Sequence, residues 1–306
     1  MQNVSAVGPS SAGTLTVKAQ KLGSWAGIVR YLRRNPSLVI GSVMILSLVL
    51  FAIFGAIFYD LSKARPISVM PGMPPSAEMP FGSDNQGRDL FAVMIAGTPL
   101  TLEIGLIAGF IGVFIGTILA FIAAYYGGVA DTIIRGVVDV LLTIPGLLIL
   151  IIVAITVRSG LGVTQMALII SVLSWLYPTR TIRSQVLTIR ERAYVQIAKL
   201  SGMSGPEIIF KELMPNLLPY LAASLVASVT SAIFASIGLE ALGLGPMDAP
   251  TIGMTLYWVI YYGALLLGMW WWFIPPVAII VILFVGLFNV TMGIDEIANP
   301  RLRRSV

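Results

Sequence analysis

The stretch Arg190-Glu-Arg-Ala-Tyr-Val-Gln-Ile-Ala-Lys-Leu-Ser-Gly-Met-Ser-Gly-Pro-Glu-Ile-Ile-Phe-Lys-Glu-Leu-Met-Pro-Asn216 is a polar island between long apolar runs. Arg190 to Leu200 contains no glycine or proline and reads as a helix. Gly202 can take a positive φ and end that helix at little cost. Gly205-Pro206-Glu207 can start a second helix, with proline near its first turn where a missing N–H matters least. Ile208, Ile209, Phe210 and Leu213 then give the second helix an apolar face. A rigid helix pair with such a face can seat in a cleft on a soluble partner and transmit displacement. The plain alternative is an ordinary loop between two spans.

What surrounds the island is a membrane protein. The 306 residues are 57% hydrophobic and 11% charged, and the mean hydropathy is +0.93. Apolar runs of about 20 residues match a hydrocarbon core of about 30 Å at 1.5 Å per residue. The fold class is therefore all-α and polytopic, with six transmembrane helices expected at about 38–59, 100–126, 137–157, 163–179, 217–239 and 274–292. Leu256 to Phe273 is apolar too, but it carries Gly263, Gly268 and many aromatics, and Pro275-Pro276 follow it. Aromatic side chains concentrate at bilayer interfaces. The stretch reads as interfacial or re-entrant, not as a seventh span, with Trp270 to Trp272 at the outer interface and Pro275 opening the last span.

Basic residues set the orientation. With six spans and the N-terminus inside, fifteen of the nineteen Lys and Arg residues lie inside, and Lys63, Arg65, Arg88 and Arg158 lie outside. A seventh span would spoil that bias, so the positive-inside rule favours six. Both termini and a 180–216 loop are then cytoplasmic. The net charge of +5 is mostly this orientation signal. The basic residues are spread over several loops, which argues against nucleic acid as a partner.

Residues 1–22 have no periodic pattern and read as a disordered cytoplasmic tail. Trp25, Ile28, Val29 and Leu32 recur at helical spacing among Arg30, Arg33 and Arg34. That pattern suits an amphipathic interfacial helix over 23–36, ended at Asn35-Pro36. Residues 37–306 form the membrane domain. In the outer loop, Asp84 with Arg88 and Asp89 could form a local ion-pair lock, either as a turn that feeds the second span or in contact with substrate.

The chemistry is sparse. The chain has no Cys and no His, which removes thiol chemistry and the commonest metal ligand. No metal site and no catalytic residues are expected. There is no Gly-x-x-x-x-Gly-Lys-Ser/Thr loop, so the chain cannot hydrolyse ATP by itself. Asp139, near the inner start of the third span, pairs with Arg135 one turn earlier on the structural reading. A functional role is its rival, because intramembrane carboxylates are often functional. Glu103 is expected at the water-facing rim of the second span, and Glu240 just after the fifth.

Several stretches together resemble one family. They are Phe81-Gly-Ser-Asp-Asn-Gln-Gly-Arg-Asp-Leu90, Ala124-Tyr-Tyr-Gly-Gly-Val-Ala-Asp131, Arg135-Gly-Val-Val-Asp139 with Ile144-Pro145, the island itself, Leu239-Glu-Ala-Leu-Gly-Leu-Gly245, and Asn289 with Gly293 and Asn299-Pro-Arg-Leu-Arg303. Their order and spacing, from about residue 24 to the C-terminus, are similar to ABC-transporter permeases of the dipeptide/oligopeptide importer type, and within these to the C-type membrane subunit. The resemblance implies a type I ABC importer permease fold in the cytoplasmic membrane. It also implies a heterodimer with a second permease subunit, two ATPase subunits that hold the ATP and Mg, and an external substrate-binding protein.

In such a protein the 190–216 loop would couple to the ATPase. Tyr194, Gln196, Ala198, Gly202, Ser204, Pro206, Glu207, Phe210, Pro215 and Asn216 are its candidate coupling residues, and of these Ala198, Gly202, Pro215 and Asn216 match the family pattern. Asp84, Arg88, Asp89, Arg135, Asp139 and Glu240 are candidates for structural or gating roles. The family loop often carries Glu-Ala-Ala, where this chain has Gln196-Ile197-Ala198; any ion pair made by that Glu in relatives is in doubt here. Oligopeptides are the substrate the resemblance implies. Similar permeases import oligosaccharides or nickel, and a secondary transporter without an ATPase is the more remote alternative.

Overall fold

The computed structural model describes residues 35–157 and 161–298. The expected tail, nearly all of the interfacial helix over 23–36, Arg158 and the arginines after 300 lie outside the described residues. Ten helices organise the rest: α1 (Pro36–Phe58), α2 (Leu90–Tyr126), α3 (Gly128–Thr143), α4 (Gly146–Thr156), α5 (Val163–Ser174), α6 (Leu176–Arg190), α7 (Ala193–Leu200), α8 (Gly205–Ala241), α9 (Ile252–Tyr261) and α10 (Trp270–Ala298). Among the described residues α1, α2, α8 and α10 are long and apolar enough to cross a membrane, and α3 with α4 makes a bent fifth candidate.

α2 and α8 form the central pair. Gly105 and Gly109 of α2 face Ile233 and Val229 of α8 with no room for a Cβ. α10 packs on α8 and α1 packs along the outside of α10. There, a Cβ on Gly41 would lie 2.6 Å from the Val290 nitrogen, and one on Gly293 would lie 2.7 Å from Leu38 Cα. α5 and α6 line the other side of α2. Buried residues cluster in four places, of which the one around Ala120, Phe121, Ile182, Val195, Ile208 and Leu213 supports the island.

Several helices depart from the expected spans, each for a local reason. α2 starts ten residues before the expected 100. Leu90, Ala92, Val93, Met94 and Ile95 are buried, and that burial outweighs the hydrogen bond lost at Pro99 inside the helix. Glu103 consequently sits well inside α2, exposed on its side, and not at its rim. The expected 137–157 span is instead two helices bent by 87°. Ile144, which precedes Pro145, is extended with φ −83° and ψ 132°, because the proline ring excludes the helical region from the residue before it.

α5 stops at Ser174, and α6 runs on to Arg190 through the expected loop from 180. Ile182 and Val186 are fully buried in the island's core, and Thr181 and Thr188 bond back to carbonyls one turn earlier. The island's second helix is not separate either: it is the start of α8, 37 residues long. A π-helical segment, Ile208–Leu213, precedes Pro215. Its wide turn accommodates a residue that has no N–H and would crowd the carbonyl four residues back.

α9 has ten residues, about 15 Å of helix, half of what a span needs. Turns at 262–269 then lead into α10, which begins at Trp270, five residues before Pro275. Trp270 is exposed, but Trp272 is fully buried with Leu90, Val259 and Met269. Trp272 thus packs inside the protein while Trp270 faces outward. Packing of Trp272 carries the helix back past the prolines.

Candidate functional site

The island folds into a tip made by α7 and the first turns of α8. α7 ends in a Schellman turn: the Gly202 N–H donates to the Lys199 carbonyl (3.0 Å) and the Met203 N–H to the Ala198 carbonyl (3.2 Å). Gly202 has φ +81°, and a Cβ there would meet nothing within 4 Å. Glycine is needed for its backbone, not for space. At the start of α8 the Glu207 carboxylate accepts hydrogen bonds from the Ser204 N–H (3.1 Å) and hydroxyl (3.0 Å), and Lys211 donates to it at 3.0 Å. Lys211 first, then Ser204, hold the Glu207 carboxyl below the usual value.

The apolar residues of the tip divide into two sets. Val195, Ala198, Ile208 and Leu213 point inward against the ends of α2 and α6. Ile197 (62% exposed), Leu200 (88%) and Phe210 (65%) point outward. The single apolar face expected from Ile208 to Leu213 is thus split, half packing and half presentation. Tyr194, Ser204, Pro206, Pro215 and Asn216 are also exposed. Gln196 folds back, its amide donating to the Arg190 carbonyl at 3.2 Å. Asn216 donates to the Glu212 carbonyl and so stays on its own helix.

Charged ties fasten the base of the tip and brace the helix that leads into it. Arg190 donates to the Ala124 carbonyl at 2.7 Å. Arg183 of α6 grips Asp131 of α3 through both oxygens, at 2.5 and 2.6 Å. The expected Arg135–Asp139 pair is 4.0 Å apart, with the side chains 61% and 49% exposed. At such exposure a pair contributes about 0–1 kcal/mol. The link that matters is Asp131–Arg183, which sequence spacing could not reveal because 52 residues separate the partners.

The outer loop contains the expected lock in altered form. Asp84 and Arg88 are buried, with Arg88 Nε donating to Asp84 Oδ2 at 2.6 Å. Asp84 Oδ1 also accepts from the Gln86 and Arg88 N–H groups. Asp89 is not a member of the pair. It caps α2, accepting from the Phe91 and Ala92 N–H groups, and it accepts from the Tyr59 hydroxyl at 2.5 Å.

Glu240 does not follow the fifth span but lies in the last turn of α8, fully buried. Its carboxylate accepts from the Ser236 hydroxyl (2.5 Å), the Thr251 hydroxyl (2.5 Å) and the Met254 N–H (2.9 Å). The last two belong to the N-terminus of α9, where positive partial charge favours an anion. Gly253 is packed on Glu240 so closely that a Cβ would lie 2.9 Å from the carboxyl carbon. The motif 239–245 is therefore a buried clamp between α8 and α9.

Between α4–α6 on one side and α8 and α10 on the other runs a cleft of about 580 Å³. Small and hydroxyl residues, Ser224, Ser228 and Ser231 among them, form its α8 wall. Tyr177, Tyr220 and Asp295 lie toward the end nearest the tip. No group of three or more His, Cys, Asp or Glu among the described residues could hold a metal ion.

Residues 112–304 match the family described as binding-protein-dependent transport system inner membrane component. The chain belongs to this family. Residues 23–75 match the N-terminal TM domain of oligopeptide transport permease C, so this permease is of the C type. A dipeptide transport system permease protein of Bacillus subtilis is 32% identical over 302 residues, covering 94% of this chain and 89% of that one. An oligopeptide transport system permease protein of the same organism is 29% identical, covering 75% and 74%. A chain of the MetNI methionine ABC transporter in an inward facing conformation matches with a TM-score of 0.52 at 18% identity, covering 67% of this permease and 94% of that chain. This last likeness shows the fold, that of a type I ABC importer permease. As in its relatives, the chain is a multi-pass permease subunit of an ABC importer.

Proposed function

We propose that the chain forms half of the translocation pathway for oligopeptides and couples it to ATPase subunits through the tip at 190–216. The observation that carries this is the outward set of Ile197, Leu200 and Phe210 around the Gly202 turn. Large apolar side chains exposed together on a polar segment mark an interaction surface. Burying one such side chain fully contributes about 1.5–3 kcal/mol. The peptide substrate is supported by the names of the relatives, a dipeptide and an oligopeptide permease. A second permease subunit, two ATPase subunits carrying ATP and Mg, and an external binding protein complete the importer. The tip and both termini face the cytoplasm, in keeping with the distribution of basic residues.

In this reading, ATP binding closes the ATPase pair and displaces the docked tip. The inward half of the tip is packed on α2 and α6, and α8 begins within it. Displacement therefore passes directly into helices that wall the cleft. Only contacts that differ between the outward and inward states transmit energy.

Gly202→Arg tests the coupling. A bulky residue at φ +81° is strained by on the order of 1 kcal/mol or more, and its side chain would project where the ATPase sits. The reconstituted importer should lose ATP-driven peptide uptake while the permease still inserts and folds. A pull-down of the ATPase subunits separates lost docking from lost transmission. Near-normal uptake would refute a coupling role for the tip.

A further inference from the structure

The cleft between α4–α6 and α8–α10 carries one carboxylate, that of Asp295, and no Lys or Arg among the described residues. Its other polar groups are hydroxyls, including those of Thr181, Ser224 and Thr291. Thr291 and Asp295 are one turn apart on α10 and share the face that lines the cleft. α10 starts at Trp270, and its Trp272 packs with Leu90 and with Phe81 of the outer loop, so Asp295 lies at the opposite end, with Tyr177 and Tyr220, where the cleft opens toward the tip. No hydrogen bond or ion pair to Asp295 occurs among the described residues. Glu296, its neighbour on α10, does not line the cleft.

We infer that Asp295 is a specificity-determining residue at the exit of the pathway, favouring substrates that carry a cationic group. This rests on the reading of the cleft as this chain's part of the pathway. The matching chemistry is an ammonium or guanidinium group, such as a free peptide amino terminus or a basic side chain. The hydroxyls accept hydrogen bonds from it, and Asp295 supplies the charge in a setting less screened than bulk water. A pathway must bind weakly enough to release, and one carboxylate among neutral hydroxyls meets that condition. A substrate with surplus negative charge meets repulsion at the same point.

Two measurements test this. In the first, the complete importer in proteoliposomes is given ATP and three matched peptides, one neutral, one with an added Lys and one with an added Glu. Asp295→Asn should lower the Lys-to-Glu uptake ratio roughly five- to tenfold, the scale of one charge acting across several ångströms at intermediate dielectric. Asp295→Glu should keep the ratio, and Glu296→Gln should not change it. In the second, Thr291→Cys supplies the only thiol in this chain, and its rates of reaction with a cationic and an anionic thiosulfonate of similar size are compared. Asp295→Asn should reduce the cation-to-anion rate ratio by a similar factor. An unchanged ratio in either measurement overturns the proposal. If the unaltered importer takes up none of the three peptides, the peptide reading fails instead, and the thiol measurement decides the charge preference of the cleft by itself.

Discussion

Removing the carboxylate of Glu240 should loosen the junction of α8 and α9 severely, because one side chain satisfies three buried donors there. Glu240→Ala strands the Ser236 hydroxyl, the Thr251 hydroxyl and the Met254 N–H in a fully buried place. A buried donor left without its partner costs about 1–3 kcal/mol. Part is recovered, because the Met254 N–H keeps the Thr251 hydroxyl as acceptor at 3.2 Å and the Ser236 hydroxyl can rotate. A net loss of about 3–5 kcal/mol follows from the donors left unsatisfied and the cavity that alanine leaves. Glu240→Gln preserves the shape but replaces one acceptor oxygen by a donor, and about 1–2 kcal/mol is lost. Trp258 and Trp270 to Trp272 all lie on or beside this junction, so intrinsic fluorescence during heating of the purified protein reports on it directly. The apparent midpoint should fall by about 10 °C for the alanine variant, from about 2–4 °C per kcal/mol for chains of comparable size. Gln should fall between Ala and wild type. An alanine variant melting within about 2 °C of wild type would refute the clamp.

Further expectations attach to the other sites. Asp84→Ala leaves the Arg88 guanidinium buried without its carboxylate at a cost of about 3–5 kcal/mol; protease added from outside should then cut between residues 66 and 80, where wild type resists. The absence of native Cys allows a Ser204→Cys label with no background from this chain. Modification by an impermeant reagent should occur only from the inside, and labelling in intact cells would invert the proposed orientation. The Glu207 carboxyl is held below its ordinary value by Lys211 and Ser204. Its contribution to the start of α8 is thus complete above the unfolded value of about 4.3 and is lost as pH falls through the folded one. Amide exchange at Ser204, corrected for its intrinsic pH dependence, should speed up over that acid range in wild type and not in Glu207→Gln.

The long apolar helices are legible in sequence because hydrocarbon thickness imposes a length that hydropathy reveals, and α1, α8 and α10 all contain such runs. Their ends are less legible. α2 reaches back past Pro99 because residues 90–95 are buried against α1, the 61–64 turn, α8, α9 and α10, a tertiary fact no local pattern carries. The turn at Gly202 is readable from residue type alone, since few other residues accept φ +81°. The division of the tip's apolar residues is not: Ile208 and Phe210 look alike in sequence, and only the position of α2 and α6 decides which one packs. Asp131–Arg183 escapes a sequence reading for the reason that most long-range pairs do. Arg135–Asp139 attracts too much weight there, because i,i+4 spacing is visible while exposure is not. Glu240 falls within the helix and not beyond it, and that one turn hides the buried network that explains Gly253.

The seam of Gly41 and Gly293 between α1 and α10 has a bearing on how the chain can be divided. α1 leaves most of its surface outside the protein interior, and its chief partner is the single helix α10. α1 is fastened chiefly by a backbone-to-backbone groove against α10, while Leu48 reaches the core shared with α2 and α8. A permease expressed as two fragments divided in the outer loop should reassemble in the membrane through that groove.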